Sequence, residues 1–120
     1  MSLQLQIEER PGYLAARFTG AGVIEEVGQE FELIAEHCKR TNKNKLLLDF
    51  TGAHADVSLA NLFLLAERTQ IFVRYNLKIA ACGRTDQIDP QKFGELVARN
   101  RGVNGREFTD VEAAEEWLLE

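Results

Sequence analysis

Leu46-Leu47-Leu48-Asp49-Phe50 is an apolar run that does not alternate with polar residues. Successive side chains of a strand point to opposite sides of the sheet, so a strand with one wet face alternates. A run that is apolar on both sides belongs to a strand covered on both faces, and such strands sit inside parallel sheets. A parallel neighbour requires a long crossover, usually a helix. This segment therefore directs the chain towards an α/β fold with helices packed on a sheet.

The flanking sequence supplies the other elements. Leu3, Leu5 and Ile7 alternate with Gln4, Gln6 and Glu8, and Leu14, Ala16 and Phe18 alternate with Ala15 and Arg17. Pro11-Gly12 lies between them as a turn signal, so the two strands form an opening antiparallel hairpin. After Thr19-Gly20-Ala21-Gly22 the period becomes helical: Val27, Phe31, Ile34, Ala35 and Cys38 share one face, with Glu25, Glu26, Glu32, Glu36, Lys39 and Arg40 opposite. Acids early and bases late complement the helix dipole. A second helix is predicted from about Ser58 to Tyr75, stopped by Asn76, and a strand over Leu77–Cys82 follows. Asp89-Pro90 reads as the N-cap and first-turn proline of a third helix, with Phe93, Leu96 and Val97 inward and Gly102 at its end. Val103 to Phe108 reads as an edge strand. Thr109-Asp110-Val111-Glu112 matches a capping box opening a last helix, with Val111, Ala114, Trp117 and Leu118 inward and Trp117 largely buried. The order is β-β-α-β-α-β-α-β-α, an α/β fold whose mixed sheet carries the opening hairpin and about four helices.

The 120 residues suit one domain spanning 1–120, and a chain of this size buries roughly two-thirds of its unfolded surface without staples. The net charge of -5, from 14 basic and 19 acidic residues, argues against nucleic acid or an anionic membrane as partner. The longest apolar runs, such as Leu62 to Ala66, are too short for stable membrane insertion. Met1-Ser2-Leu3-Gln4 has neither the basic patch nor the apolar stretch of a signal peptide, so a cytoplasmic location is expected. Cys38 and Cys82 sit among apolar neighbours, without a CxxC and with only His37 and His54 beside them in the inventory. They read as buried reduced thiols, and no metal or cofactor is expected.

Several residues carry chemistry worth weighing. Gly20-Ala21-Gly22 precedes a helix, but Glu25 stands where a dinucleotide fingerprint needs its third glycine. Asp49, Thr51 and His54 fall near one loop; no nucleophile, base and orienter occur together at recognisable spacing, and a strand-end aspartate commonly anchors the following turn. The expectation is a protein that is not an enzyme. Ser58 opens the second helix, either as its cap or as a place where a phosphate is electrostatically favoured; Asp56 is the alternative cap. Arg84, in the loop after the fourth strand, falls at the same sheet edge as Ser58 and is either a solvated side chain or an anion contact. At 100° per residue the second helix turns Leu59, Leu62, Phe63, Ala66 and Val73 to the sheet. Leu64, Ile71 and Tyr75 then line the opposite side, with Leu65, Arg68 and Phe72 beside them. That second stripe is either covered by the chain itself or an interface for a protein partner, a second copy in a homodimer, or a lipid-like ligand.

The element order resembles the SpoIIAA-like fold shared by STAS domains, among them the anti-sigma factor antagonists. In antagonists a strand ends in aspartate, and a loop leads to an Asp-Ser-Ser-Gly motif at the start of the next helix. Leu47-Leu48-Asp49-Phe50-Thr51-Gly52 is similar to that strand end. Asp56-Val57-Ser58-Leu59 stands in the place of the motif, with Asp56 and Ser58 matching and Val57 and Leu59 departing from it. The stretch from Phe108 to Leu118 resembles the ending of small stand-alone STAS/SEC14-type bacterial proteins. The resemblance implies a regulatory protein-interaction module working through the second helix and the loop before it, modulated by phosphorylation at Ser58. A carrier of a small apolar or lipid-like ligand is the alternative it leaves open.

Overall fold

The computed structural model describes residues 3–55 and 58–120. Its strands are β1 (Gln4–Arg10), β2 (Tyr13–Ala21), β3 (Lys45–His54), β4 (Lys78–Cys82) and β5 (Asn104–Phe108). The helices are α1 (Ile24–Gln29), α2 (Phe31–Arg40), α3 (Leu59–Arg68), α4 (Phe93–Asn100) and α5 (Val111–Leu119), and a 3-10 helix, Thr69–Tyr75, continues α3. The five strands lie in sequence order, β1 antiparallel to β2 and every later neighbour parallel. The mixed sheet, the opening hairpin and the central, doubly covered β3 are as the sequence predicts.

Strand order explains the layering. Each crossover from β2 to β5 steps in the same direction, and right-handed crossovers that do so place all their helices on one face. That face carries the main core: Leu14, Phe18, Leu46, Leu48 and Ile79 from the sheet meet Val27, Phe31, Ile34, Cys38 and Val97 from the helices. Among the described residues α5, which follows the last strand, covers the other face, where Tyr13, Leu47, Ala80 and Cys82 meet Ala114 and Leu118.

Several boundaries differ from the sequence reading. The first helix breaks at Glu30 into α1 and α2, just after Gly28, where a Cβ would come within 2.9 Å of the Arg68 Cγ of α3. β3 runs through Thr51 to His54, segments expected to be loop. Asp89 does accept amides, from Gln91 at 3.0 Å and Phe93 at 3.2 Å, but in a turn before the helix, and α4 starts at Phe93 behind Lys92 in the left-handed region (φ 54°). That shift turns Leu96 outward, 56% exposed, while Val97 stays buried. The cap of α5 is Asp110, not Thr109: its carboxylate accepts from the Glu112 amide at 3.2 Å. Ala114 and Leu118 are buried and Trp117 packs half-buried against the same cluster, while Val111, in the first turn, is exposed.

Candidate functional site

The parallel strands end at unequal lengths, and this shapes the sheet edge. β4 stops at Cys82, opposite Asp49, while β3 continues to His54. The carbonyls of Phe50, Thr51 and Ala53 therefore have no β4 partner, and orphaned backbone acceptors need donors from elsewhere. The loop after β4 supplies them. Gln87 Nε2 donates to Phe50 O at 2.8 Å and Ala53 O at 2.9 Å, and Arg84 Nη1 donates to Thr51 O and Ala53 O. Gln87 Oε1 accepts the Arg84 amide, and Arg84 Nε donates to Asp86. The guanidinium considered above as an anion contact is thus engaged as a clip on the overhanging strand.

Asp49 is buried, and its Oδ1 accepts from the Thr51 amide at 3.0 Å and the Thr51 hydroxyl at 2.7 Å. Here β3 carries an extra residue against β2, between the Arg17↔Asp49 and Thr19↔Gly52 pairs, so Asp49 anchors a bulge. Its Oδ2 stands 3.4 Å from Arg17 Nε. Asp49 shares its sheet face with Leu47, under α5, whereas α3 packs on the face of Leu48. The fold therefore links Asp49, Thr51 and Arg84 through side chain and backbone, and keeps Asp49 apart from Ser58. Asp56 lies outside the described residues.

Ser58 is exposed at the N-cap of α3, where its Oγ accepts from the Asn61 amide at 3.3 Å. Beside it α3 presents apolar side chains to solvent: Leu59 is 58% exposed, Phe63 41%, and Leu64 is exposed as well. These include two residues assigned above to the sheet side, so the face assignment is corrected. Phe63 leans on Phe93 of α4, ring centroids 6.4 Å apart, and Arg101 covers it at 5.1 Å. Arg101 is itself paired with Glu67.

The opposite stripe is corrected too. Phe72 is fully buried against Phe31, and Leu65, Ile71 and Tyr75 pack half-buried on the same core; Leu64 and Arg68 remain exposed. The reason is the change to 3-10 geometry at Thr69. At 120° instead of 100° per residue, four residues add about 80° of rotation, which swings Phe72 inward and Val73 out. An alternative surface signal was present in the sequence as the all-round apolarity of Leu59 to Ala66, but not its direction.

Beneath α3, between it, α1, α4 and the sheet, lies an apolar cavity of about 120 Å³. At the α4–β5 side Glu95 and Glu107 clasp each other's backbone: Glu95 Oε1 accepts the Glu107 amide at 2.8 Å, and Glu107 Oε1 accepts the Glu95 amide at 3.1 Å. Glu107 thereby serves α4, whose N-cap Lys92 offers no side-chain cap. Burial pushes the Glu107 carboxyl above the ordinary glutamate range. Cys38 and Cys82 are unpaired and buried, and burial pushes both thiols up to about 11. Among the described residues no group of three or more His, Cys, Asp or Glu is placed to hold a metal ion, and no helix is long and apolar enough to cross a membrane.

No protein-family model and no curated protein matches the sequence. Solved structures do match. An anti-sigma factor antagonist from Mycobacterium paratuberculosis superposes with a TM-score of 0.67 at 11% identity, covering 99% of this chain and 96% of that one. An uncharacterised Shewanella loihica protein with a SpoIIAA-like fold gives 0.55 at 18% identity, covering 97% and 93%. The fold is SpoIIAA-like. The Bacillus cell fate determinant SpoIIAA, in its phosphorylated form, gives 0.54 at 14% identity over 95% and 99%. At these identities the likeness speaks for the SpoIIAA-like architecture that the sequence resemblance implies.

Proposed function

We propose that this SpoIIAA-like chain is a non-enzymatic regulatory module, receiving a protein partner on the outer face of α3 and the loop leading into it, with phosphorylation of Ser58 opposing docking. The observation that carries this reading is the exposure of Leu59, Phe63 and Leu64 on the helix that Ser58 caps. A solvent-facing helix side is ordinarily polar, and apolar side chains gathered there mark a docking surface. Three of the structural neighbours are anti-sigma factor antagonists or SpoIIAA itself, one of them in its phosphorylated form, which supports both the partner and the switch. A phosphate on Ser58 adds roughly 1.5 to 2 negative charges at a helix N-terminus that favours them, directly beside an apolar surface that must desolvate to dock. The unpaired thiols suit the reducing cytoplasm in which such a module works.

The test compares proteins retained from native cytosol by four immobilised forms: wild type, Ser58→Ala, Ser58→Glu, and Leu59→Glu with Phe63→Glu. The expected result is a protein held by the first two and reduced at least tenfold on the last two. Equal retention by all four refutes the reading. Light scattering of the same forms settles whether the occupant is a second copy: a mass that doubles in wild type and halves in the double variant makes the module a homodimer. The cavity beneath α3 favours a second reading, in which the chain carries a small apolar ligand.

A further inference from the structure

We infer that the cavity beneath α3 is a binding site for a compact, uncharged apolar molecule of about one aromatic ring, and that it rejects both long acyl chains and anions. This deepens the ligand-carrier reading and rests on it.

The cavity exists because small residues stand where the helices meet the sheet. Ala53 and Gly105 on the strands, Ala66 on α3 and Gly94 and Ala98 on α4 all line it, so short side chains leave the space open. Leu48 and Ile79 form its floor, Leu62 and Leu65 its roof, and Val27 a wall. A cavity of about 150 Å³ with such walls stays dry and takes up benzene. At about 120 Å³ this one, which is open on one side, matches the same class of molecule, and its enclosed part does not hold the length of a lipid tail. Atoms lining an empty space forfeit their dispersion contacts, and a ring-sized occupant restores them without needing a hydrogen bond.

Charge decides the rest. Glu95 and Glu107 are among the residues around the cavity, each carboxylate accepting the other's backbone amide. The lining itself is almost wholly apolar, with no cation among the described residues turned into it to receive an anion. Arg99 Nε is 3.8 Å from Glu95 Oε2, a loose pair on the solvent side. An anionic ligand would give up its hydration there with no cation to receive it, and burying an unpaired charge is costly.

Toluene, benzoate and 1-decanol are the probes, read by thermal unfolding of the full chain. Toluene at tenfold excess over its Kd should raise Tm by roughly 5 °C, with benzoate and decanol without effect. Ala66→Leu fills the cavity and should abolish the toluene shift. If that variant does not fold, transferred proton NOEs in wild type locate the probe, expected at the methyls of Leu48, Leu62 and Ile79 and not at those of Leu59 or Leu64. Stabilisation by decanol but not toluene overturns this inference and leaves the carrier reading standing. Stabilisation by benzoate equal to that by toluene overturns the charge selection. No shift with any probe removes inference and carrier reading together.

Discussion

Glu107 has two opposed effects, one from its oxygen and one from its charge. Its Oε1 accepts the Glu95 amide at 3.1 Å, which a neutral amide oxygen would also do. Its charge is penalised, first by burial and also by Glu95 nearby, so its folded-state pKa is raised. A carboxyl raised on folding favours the folded state in its protonated form; stability falls as pH climbs from the unfolded value near 4.3 through the raised folded value. Glu107→Gln should therefore equal or exceed wild type at pH 7 and lose that advantage at pH 4. Glu107→Ala, which orphans the Glu95 amide, should cost about 1–2 kcal/mol at both. Urea titrations at the two pH values separate the effects, and an alanine variant as stable as the glutamine variant would mean that the clasp contributes nothing.

The helical segment from Leu59 to Tyr75 behaves as two elements. In α3 the apolar residues face every direction and only Ala66 is buried; in the 3-10 helix Phe72 enters the core and its ring meets that of Phe31 with centroids 5.0 Å apart. Substitutions along the stripe Leu64, Ile71, Phe72, Tyr75 should then diverge sharply. Phe72→Ala should cost about 3–5 kcal/mol, the range for a core aromatic. Leu64→Glu, on the exposed side, should stay within about 1 kcal/mol of wild type, as surface changes do. Guanidinium unfolding of both variants checks this, and equal costs would mean that one continuous α-helix persists through Thr69.

Across the whole molecule, stability should be layered as the packing is. β3 is bonded on both sides and covered on both faces, whereas α3 spans the cavity. Amides of Leu46 to Asp49 should exchange only through global unfolding, and those of Leu59 to Leu65 at least a hundredfold faster through local opening, because few buried contacts hold them. Hydrogen exchange followed by NMR reads both; α3 protected as strongly as β3 would contradict the packing argument.

The order of elements was legible in the sequence because each follows from local period and punctuation. The unalternating run at Leu46 required a strand buried on both faces, and the spacing of Val27, Phe31, Ile34, Ala35 and Cys38 required a buried helical surface, which the structure divides between α1 and α2. Asn76 and Gly102 closed helices where left-handed backbone was needed, at φ 54° and 89°. The site was legible only in part. Ser58 as cap follows from near neighbours, and so does the hold of Asp49 on the amide two residues on, though it anchors a bulge inside β3 where the sequence suggested a turn. The engagement of Arg84 depended on how far β3 outruns β4, and the clasp of Glu95 and Glu107 on the alignment of α4 with β5. The direction of Leu59, Phe63 and Phe72 depended on where an α-helix tightens to a 3-10 helix, and the cavity on which small residues meet across three elements. Periodicity fixes a face relative to its own element's axis; the rotation of that axis, and the lengths left unpaired beside it, are set by packing between elements distant in sequence.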